Sequence, residues 1–176
     1  RGPAGEHESR QPRHLVFHTN LSIAYTTNER EQPGVGAWQW DTEQGRLTPM
    51  QNIVTQPKGF TGTITTADLH LTPNAKYLYI SNRDITARFE STGHDSIVGF
   101  QVGPQNGRLK LISHTPCERV PRSFTIDKLG KFLYVAGQTD SRLGAYRIEP
   151  NGTLKKIAQY EVGKGPIWVE TLSLPK

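Results

Sequence analysis

Three arginines and two carboxylates are the residues of this sequence best suited to chemistry: Arg13, Arg83, Arg122, Glu29 and Asp68. Arginine presents a rigid fork of donors that matches a phosphate or a carboxylate. A carboxylate beside arginine stays ionised, and it could act as a base or orient a water molecule. Several arginines on one rim would favour a small anion over an extended polyanion. They form a site only if the fold brings them together.

The chain is organised by an internal repeat. Three tyrosines fall in register at offsets of 54 and 55 residues when the segments 12–29, 66–83 and 121–138 are aligned: Tyr25, Tyr79 and Tyr134. Each segment is followed by an alternating apolar strand, a turn ending in glycine, and another short strand. A fourth unit begins at Gly165 and continues to Leu174. Four short strands in each unit of roughly 45–55 residues are typical of a β-propeller.

The periodicity within each unit is two, which indicates strands, and no segment reads as a convincing helix. The dipeptides Asn106-Gly107 and Asn151-Gly152 are strong hairpin signals. We therefore predict one partial all-β propeller domain over 1–176, with blade units at about 11–57, 66–113 and 120–160 and a partial unit at 165–174. Since propellers close with roughly four to eight blades, three and a half blades need a missing N-terminal half or a second chain. We favour the C-terminal half of a seven-bladed ring, with Arg1–Gln11 as a linker.

Blade topology predicts where the polar residues meet. A blade is an antiparallel meander whose first strand lines the central channel, so the residue entering the first strand and the residue leaving the second lie on one face. This rule places Pro166, Ile167 and the eight candidate site residues on one rim, and those eight are Arg13, His14, Glu29, Asp68, Arg83, Arg122, Gln138 and Trp168. The long loop Asp84–His94 leaves from the same face and could cover the channel. The alternative is that these charges only form ion pairs between blades.

Composition excludes several classes of function. The net charge of +5 comes from scattered Lys and Arg without a long run, so no nucleic-acid partner is expected. No apolar stretch is long enough for a membrane helix, and the single cysteine, Cys117, fits a reducing, cytoplasmic location. The histidines lack metal-ligand spacing, so we expect no metal or other cofactor; His70 reads as a packed histidine on a first strand. The chain starts at Arg1 and its only methionine is Met50, so we expect sequence upstream of it.

The segments PRHLVFHTN, AYTTNE, ADLHLTPNAKYLYISNR, PRSFTIDKLGKFLYVAGQ and VGKGPIWV, from about 11 to 169, resemble the bacterial seven-bladed propeller 6-phosphogluconolactonases. The resemblance implies hydrolysis of 6-phospho-glucono-1,5-lactone in the oxidative pentose phosphate pathway, without a known metal requirement. Four family residues match by motif: Arg13 of PRH, Glu29 of NE, Arg83 of the NR motif and Arg122 of the later PR. The insertion between Arg83 and Ser96 departs from the family pattern. A family histidine from an earlier blade has no match here and would lie in the missing half.

The leading hypothesis is a phosphosugar lactonase in which Arg13, Glu29 and Arg83 are catalytic. The arginines bind phosphate and polarise the ring carbonyl, and Glu29 or the absent histidine handles the attacking water. Five further residues are expected to contact the substrate: Arg122, His14, Asp68, Gln138 and Trp168. The alternatives are a sugar-acid or carboxy-muconate lactonising enzyme and a non-enzymatic binding platform, since fold does not fix function.

Overall fold

A computed structural model describes residues 11–30, 32–87 and 92–173, and in these ranges the chain forms twelve antiparallel strands. Three parts of the predictions lie outside the described residues: 1–10 of the linker, 88–91 of the loop, and Leu174 of the last unit. The described ranges contain no helix, and so none long and apolar enough to cross a membrane. The all-β character predicted from the period-two pattern is therefore confirmed.

The twelve strands form three four-stranded sheets, each a meander in chain order. Blade 1 consists of β1 (Pro12–Phe17), β2 (Ile23–Asn28), β3 (Gly34–Asp41) and β4 (Arg46–Val54). Blade 2 consists of β5 (Ile64–Leu71), β6 (Tyr77–Asp84), β7 (Ser96–Val102) and β8 (Leu109–Pro116). Blade 3 consists of β9 (Pro121–Ile126), β10 (Phe132–Gly137), β11 (Arg142–Ile148) and β12 (Leu154–Glu161). Three propeller blades are thus present, and the exact bounds of the repeat units stay a prediction.

The blades pack face to face in chain order. Their first strands lie side by side, β1 against β5 and β5 against β9; we call these the inner strands. One apolar core between blades 1 and 2 contains Tyr25, Val35 and Leu78. A second core between blades 2 and 3 contains Tyr79, Phe124 and Tyr146. The site must therefore be held by contacts between neighbouring sheets.

The tyrosines that revealed the repeat link each blade to the next. The Tyr25 hydroxyl donates to the Gly107 carbonyl oxygen at 2.6 Å, and the Tyr79 hydroxyl donates to that of Gly152 at 2.9 Å. Both acceptors lie in the Asn-Gly turns of the following blade. Burial raises the pKa of Tyr25 to about 12. Tyr134, on blade 3, is only half-buried, and no hydroxyl partner for it exists among the described residues.

The two turn glycines are required by backbone shape and by close packing. Gly107 and Gly152 have φ values of 60° and 81°, a region that disfavours other residues. A Cβ at Gly107 would lie 2.3 Å from Ile23 Cδ1, and one at Gly152 would lie 2.5 Å from Tyr77 Cε1. Glycine therefore lets each turn reach the tyrosine side chain of the preceding blade.

The outer faces of blades 1 and 3 are apolar and open within the described part of the chain. Leu15 and Phe17 lie on the outer face of blade 1, and they are 45% and 47% exposed. Phe17 packs against Trp40 with ring centroids 5.1 Å apart. Tyr160 on blade 3 and Trp168 beyond it are 55% and 61% exposed. Such sheet faces are expected where further blades of a ring would pack.

The segment 163–173 follows blade 3 and has no assigned strand, yet it lies beside the inner strand β9. The Val169 backbone N–H donates to Ser123 Oγ at 3.3 Å, and Thr171 Oγ1 donates to the Ile126 carbonyl at 3.3 Å. The segment therefore occupies the place that the inner strand of a fourth blade would take.

Replacing the repeat tyrosines by phenylalanine tests this packing. Tyr25→Phe and Tyr79→Phe each leave a buried turn carbonyl without its donor, so each should lower the free energy of unfolding by about 1–3 kcal/mol. Tyr134→Phe is the matched control and should change stability by less than about 0.5 kcal/mol. Urea denaturation measures all three. Equal losses in the three variants would show that the hydroxyl bonds between blades are not the stabilising contacts.

Candidate functional site

A β-bulge falls at the same point of all three inner strands. In β1 the pairing steps from Pro12↔Asn28 to Leu15↔Thr26, so two residues oppose one. The pairing of β5 and β9 is interrupted in the same way. The bulge residues are Arg13–His14 in blade 1, Ala67–Asp68 in blade 2 and Arg122 in blade 3. Bulges redirect side chains and are frequent beside active sites, and here they carry four of the predicted site residues.

Hydroxyl groups on the second strands stabilise the first two bulges. The extra residue leaves a backbone N–H without a ladder partner. The N–H of His14 donates to Thr27 Oγ1 at 3.1 Å, and the N–H of Asp68 donates to Ser81 Oγ at 3.0 Å. Thr27 in turn donates to the Ala67 carbonyl at 3.1 Å. The bulges are therefore fixed structural features that also join blade 1 to blade 2.

Glu29 accepts hydrogen bonds from arginines of two blades. Its Oε1 lies 3.1 Å from Arg13 Nη1 and 2.5 Å from Arg83 Nη2. Arg83 also donates to the Thr66 carbonyl at 3.3 Å. The Thr66 backbone N–H donates to the Glu29 carbonyl, and its hydroxyl donates to the carbonyl of Asn28. The backbone of blade 2 thus fixes where the Glu29 carboxylate can lie.

The surroundings of this cluster keep Glu29 and its arginine partners charged. Burial would raise the pKa of Glu29, but the Arg83 hydrogen bond and the charges of Arg13 and Arg83 outweigh it and hold that pKa below its usual value. Burial also lowers the pKa of Arg83, against the opposing effect of Glu29; an arginine remains charged at any ordinary pH. Glu29 is therefore a poor proton acceptor and a good anchor for two cations.

A cavity of about 150 Å³ opens beside Glu29 and Arg83. Its lining residues come from all three blades and their connections: Glu29, Arg30, Thr65, Arg83, Ile85, Val120, Arg122 and Gln138. The volume is comparable to that of an engineered cavity that binds benzene, so a group of the size of a phosphate fits. Three arginines and one carboxylate line it, so the cavity favours an anion.

Two buried polar atoms of the cavity wall have no hydrogen-bond partner within the described residues: Arg83 Nε and Thr65 Oγ1. Arg83 is 7% exposed and Thr65 is 3% exposed. An unsatisfied buried polar group typically costs about 1–3 kcal/mol, so a ligand that accepts from both would remove that penalty. Arg13 Nε is a third unsatisfied donor nearby.

Asp68 lies under the arginine cluster and contacts two histidines. Its Oδ1 is 3.2 Å from His14 Nδ1, and its Oδ2 is 3.3 Å from His70 Nε2. The Phe124 backbone N–H of blade 3 also donates to Oδ2 at 3.2 Å. The sequence suggested that His70 is simply packed, and its ring does contact Phe124 edge-on at 4.8 Å. The link from His70 to Asp68 was missed, although residues two apart on a strand share a face and this spacing could have indicated it.

The eight predicted rim residues divide into three groups. Glu29, Arg83, Arg122 and Gln138 line the cavity, and Arg13 joins it through Glu29. His14 and Asp68 pair with each other. Trp168 is exposed and does not line the cavity. Sequence reasoning missed the other four residues that line the cavity: Arg30, Thr65, Ile85 and Val120.

The predicted loop after β6 is anchored by one carboxylate. Asp84 Oδ1 accepts from the backbone N–H and hydroxyl of Thr86, and Oδ2 accepts from the backbone N–H groups of Thr92 and His94. Burial would raise the pKa of Asp84, but these donors lower it to about 2. The His94 ring packs on Phe60 with centroids 4.6 Å apart. Both described ends of the loop are thus fixed at neutral pH.

The Glu29 cluster predicts a specific dependence of stability on pH. Because the folded-state pKa of Glu29 is below its unfolded value, the cluster stabilises the fold above about pH 4.5, and this is lost as pH falls through the folded-state pKa. Glu29→Gln should lower the free energy of unfolding by about 1–2 kcal/mol at pH 7, and this difference from wild type should disappear at acidic pH. Glu43→Gln, at an exposed turn, is the control. A stability difference between Glu29→Gln and wild type that does not change with pH would contradict the ion pairing of Glu29 with the two arginines. Urea unfolding at several pH values measures it.

Comparison with known proteins agrees with the fold. The chain is 42% identical over 164 residues to the 6-phosphogluconolactonase of Pectobacterium carotovorum, covering 93% of this chain and 46% of that protein. The 6-phosphogluconolactonase of Yersinia pestis is 39% identical, with 90% and 45% covered. The chain thus spans about half the length of the curated relatives it matches.

Solved structures show the same architecture. The periplasmic gluconolactonase of Pseudomonas aeruginosa superposes with a TM-score of 0.78 at 28% identity, covering 89% of this chain and 41% of that one. A protein from Lactobacillus plantarum superposes with a TM-score of 0.83 at 24% identity, covering 94% and 46%, and supports the fold alone. The family described as "Lactonase, 7-bladed beta-propeller" matches residues 7–171. The chain therefore belongs to the seven-bladed β-propeller lactonase family.

Proposed function

We propose that the protein hydrolyses 6-phospho-D-glucono-1,5-lactone to 6-phosphogluconate. The observation that carries this proposal is the arginine-lined cavity, whose wall holds unsatisfied donors at Arg83 and Thr65. The cavity selects a small anion, and membership of the lactonase family supplies the class of reaction. The relatives named 6-phosphogluconolactonase, which align over more than 90% of the chain, support the phosphorylated substrate.

The position of the cavity beside the channel supports different roles for the arginines in phosphate binding and in the reaction. With the phosphate in the cavity of about 150 Å³, the lactone ring would lie in the channel beside it. Arg122 and Gln138 would then bind phosphate oxygens, and Arg30 adds positive charge at the rim. Bidentate arginine contacts are the strong form of phosphate recognition. The phosphate would fix the distance from the cavity to the reacting carbonyl.

Arg13 and Arg83 would stabilise the reaction. Water attacks the ring carbonyl, and the negative charge on its oxygen grows as the tetrahedral intermediate forms. Donors fixed in advance near that oxygen lower the barrier because they need no reorganisation. Arg13 Nε and Arg83 Nε are both buried and have no hydrogen-bond partner among the described residues. Glu29 holds these two like-charged groups close to each other at the distances described above.

Blades beyond this chain, or a second chain, would complete the ring. The open apolar faces around Phe17 and Trp168 support further blades at both ends. Those blades would bring additional residues to the channel, and Trp168 would contact the substrate only in the closed ring. We also propose a cytoplasmic location, in keeping with the phosphorylated sugar substrate.

An unphosphorylated sugar lactone is the second candidate substrate. The observation that favours it is the similarity to the gluconolactonase of Pseudomonas aeruginosa. A muconate-type lactone would also present carboxylates to the arginines. A non-enzymatic platform would bind such anions without turning them over.

An acid-release assay distinguishes these functions. The full-length protein should accelerate the hydrolysis of 6-phosphogluconolactone above its spontaneous rate, followed with a pH indicator. Arg83→Ala should lower kcat/KM by roughly 10²–10³-fold, and Arg83→Lys should restore little, because an ammonium cannot reproduce the fork. If the activity per folded molecule of Arg83→Ala equals wild type, Arg83 and Glu29 form only an ion pair between blades.

The phosphate pocket has its own test. Arg122→Ala should raise KM for the phosphorylated lactone by about tenfold or more, the equivalent of one charge-assisted hydrogen bond. KM for glucono-1,5-lactone should change little, because that substrate lacks the phosphate. Arg119→Ala, at an exposed position outside the cavity lining, is the matched control. An equal increase in KM for both substrates would show that Arg122 does not bind the phosphate.

A further inference from the structure

Asp68 is a buried carboxylate with a donor on every side. It is 2% exposed and belongs to the bulge of β5. Its Oδ1 accepts from the Leu69 N–H at 3.0 Å and faces His14 Nδ1, while its Oδ2 faces His70 Nε2 and accepts from the Phe124 N–H. A carboxylate so surrounded stays ionised, since hydrogen bonds to the charged form offset its burial. Asp68 is therefore a fixed acceptor.

This arrangement selects one tautomer of His14. An ionised carboxylate only accepts hydrogen bonds, so the nitrogen that faces it must carry a proton. In the neutral ring the proton of His14 therefore lies on Nδ1, and Nε2 is the acceptor. The His14 side chain is 30% exposed, and no partner for Nε2 occurs in the described ranges. His14 thus presents a lone pair at the inner strand that lines the channel.

The groups around His14 keep its ring neutral. Burial lowers the pKa of His14, and the charges of Arg13, His70 and Arg122 lower it further, whereas Asp68 alone raises it. The result lies below the ordinary value of 6.5. Glu29, by contrast, is held ionised by two arginines. Both arginines contact Glu29 Oε1 and make this carboxylate a poor proton acceptor, so His14 is the candidate base on this rim.

We propose that His14 takes the proton from the attacking water, and that Asp68 is the positioning residue that orients it. This inference rests on the proposed function and assigns the base to a residue of this chain rather than to Glu29 or an earlier blade. The oxygen of water bonds to the lactone carbonyl carbon while one of its protons moves to His14 Nε2. The bond from that carbon to the ring oxygen then breaks, and His14 returns the proton to the leaving alkoxide. The acid product ionises and releases one proton to solvent.

His70 completes the unit by holding the second oxygen of Asp68. Its ring is fixed edge-on against Phe124 of blade 3. Residues of blades 2 and 3 therefore set the orientation of the His14 imidazole of blade 1. They are Asp68 and His70 from blade 2 and the Phe124 N–H from blade 3. A base built this way is oriented only when the blades are stacked.

Histidine nitrogen NMR on the full-length protein tests the tautomer. With ¹⁵N-labelled histidine, His14 should be protonated at Nδ1 above pH 7. His18 is an internal reference of the opposite kind, because its Nδ1 accepts from the N–H groups of Asn20 and Leu21 and its proton must lie on Nε2. In Asp68→Asn the preference of His14 should weaken or reverse, while His18 should not change.

Kinetics test the role of the base. His14→Gln should lower kcat by about 10²-fold or more, the lower range for a positioned base, with a smaller change in KM. In wild type, kcat should rise with pH through the pKa of His14 and then level off. Asp68→Asn should shift this rise to lower pH, because it removes the charge that raises the His14 pKa, and it should lower the plateau. His114→Gln, a histidine that contacts the Thr55 carbonyl in another part of the structure, is the control and should behave as wild type.

The outcomes separate the inference from the proposed function. A wild-type protein that leaves the lactone at its spontaneous rate overturns the proposed function. His14 protonated at Nε2 overturns the inference whatever the activity. An active wild type with unchanged kcat and pH profile in His14→Gln also overturns it, and leaves the function intact. Nδ1 protonation together with loss of the pH-dependent rise in His14→Gln supports it.

Discussion

One extra residue in each inner strand is the constraint on which the site depends. A regular strand would send neighbouring side chains to opposite faces, and Arg13 and His14 could not both serve one rim. The bulge removes this alternation at the same point of every blade. It also frees a backbone N–H, which Thr27 and Ser81 satisfy by their hydroxyl groups. The site therefore depends on a backbone irregularity that hydroxyl groups of the second strands stabilise.

Contacts between blades turn these bulges into one site. In blades 1 and 2 a bulge residue contacts the inner strand of the next blade: His14 faces Asp68, and Asp68 accepts from the Phe124 N–H. In blade 3, Ser123, which follows the bulge residue Arg122, accepts from the Val169 N–H. The same relation thus extends beyond blade 3. Side-chain and backbone positions in one blade are set by its neighbour, and a change of packing anywhere in the stack would alter the geometry of the rim.

Glu29 allows the rim to concentrate positive charge. Arg13 and Arg83 would repel each other in a partly buried site, and a shared carboxylate oxygen offsets that repulsion. Breaking such a pair is costly because it leaves a charge buried without its partner. Glu29 uses only part of each guanidinium, however, and the Nε atoms remain for another acceptor. The cluster is at once an ion pair between blades and an incomplete anion site.

The sequence was sufficient for the repeat, the propeller fold and the convergence of Arg13, Glu29 and Arg83, because strand polarity places the ends of first and second strands on one face. It was not sufficient for the contact of the Phe124 N–H with Asp68, because that contact depends on how blade 3 packs on blade 2; the link of His70 to Asp68 follows from their spacing on one strand and was overlooked. Tyr134 matches Tyr25 in the alignment yet differs from it in environment, because among the described residues no turn of a following blade accepts from its hydroxyl. The local residue pattern predicts the strands of each blade, whereas the packing of the neighbouring blade determines which residues each side chain contacts.

The proposed activity depends on the cavity between Glu29, Arg83 and Arg122 being an anion site that binds the phosphate of a sugar acid. A crystal structure of the full-length protein with 6-phosphogluconate tests it most directly. We expect the phosphate in this cavity, within hydrogen-bond distance of Arg122 and Gln138, and the sugar carboxylate toward Arg13 and Arg83. A product bound elsewhere on the protein, with the cavity filled only by water, would contradict it.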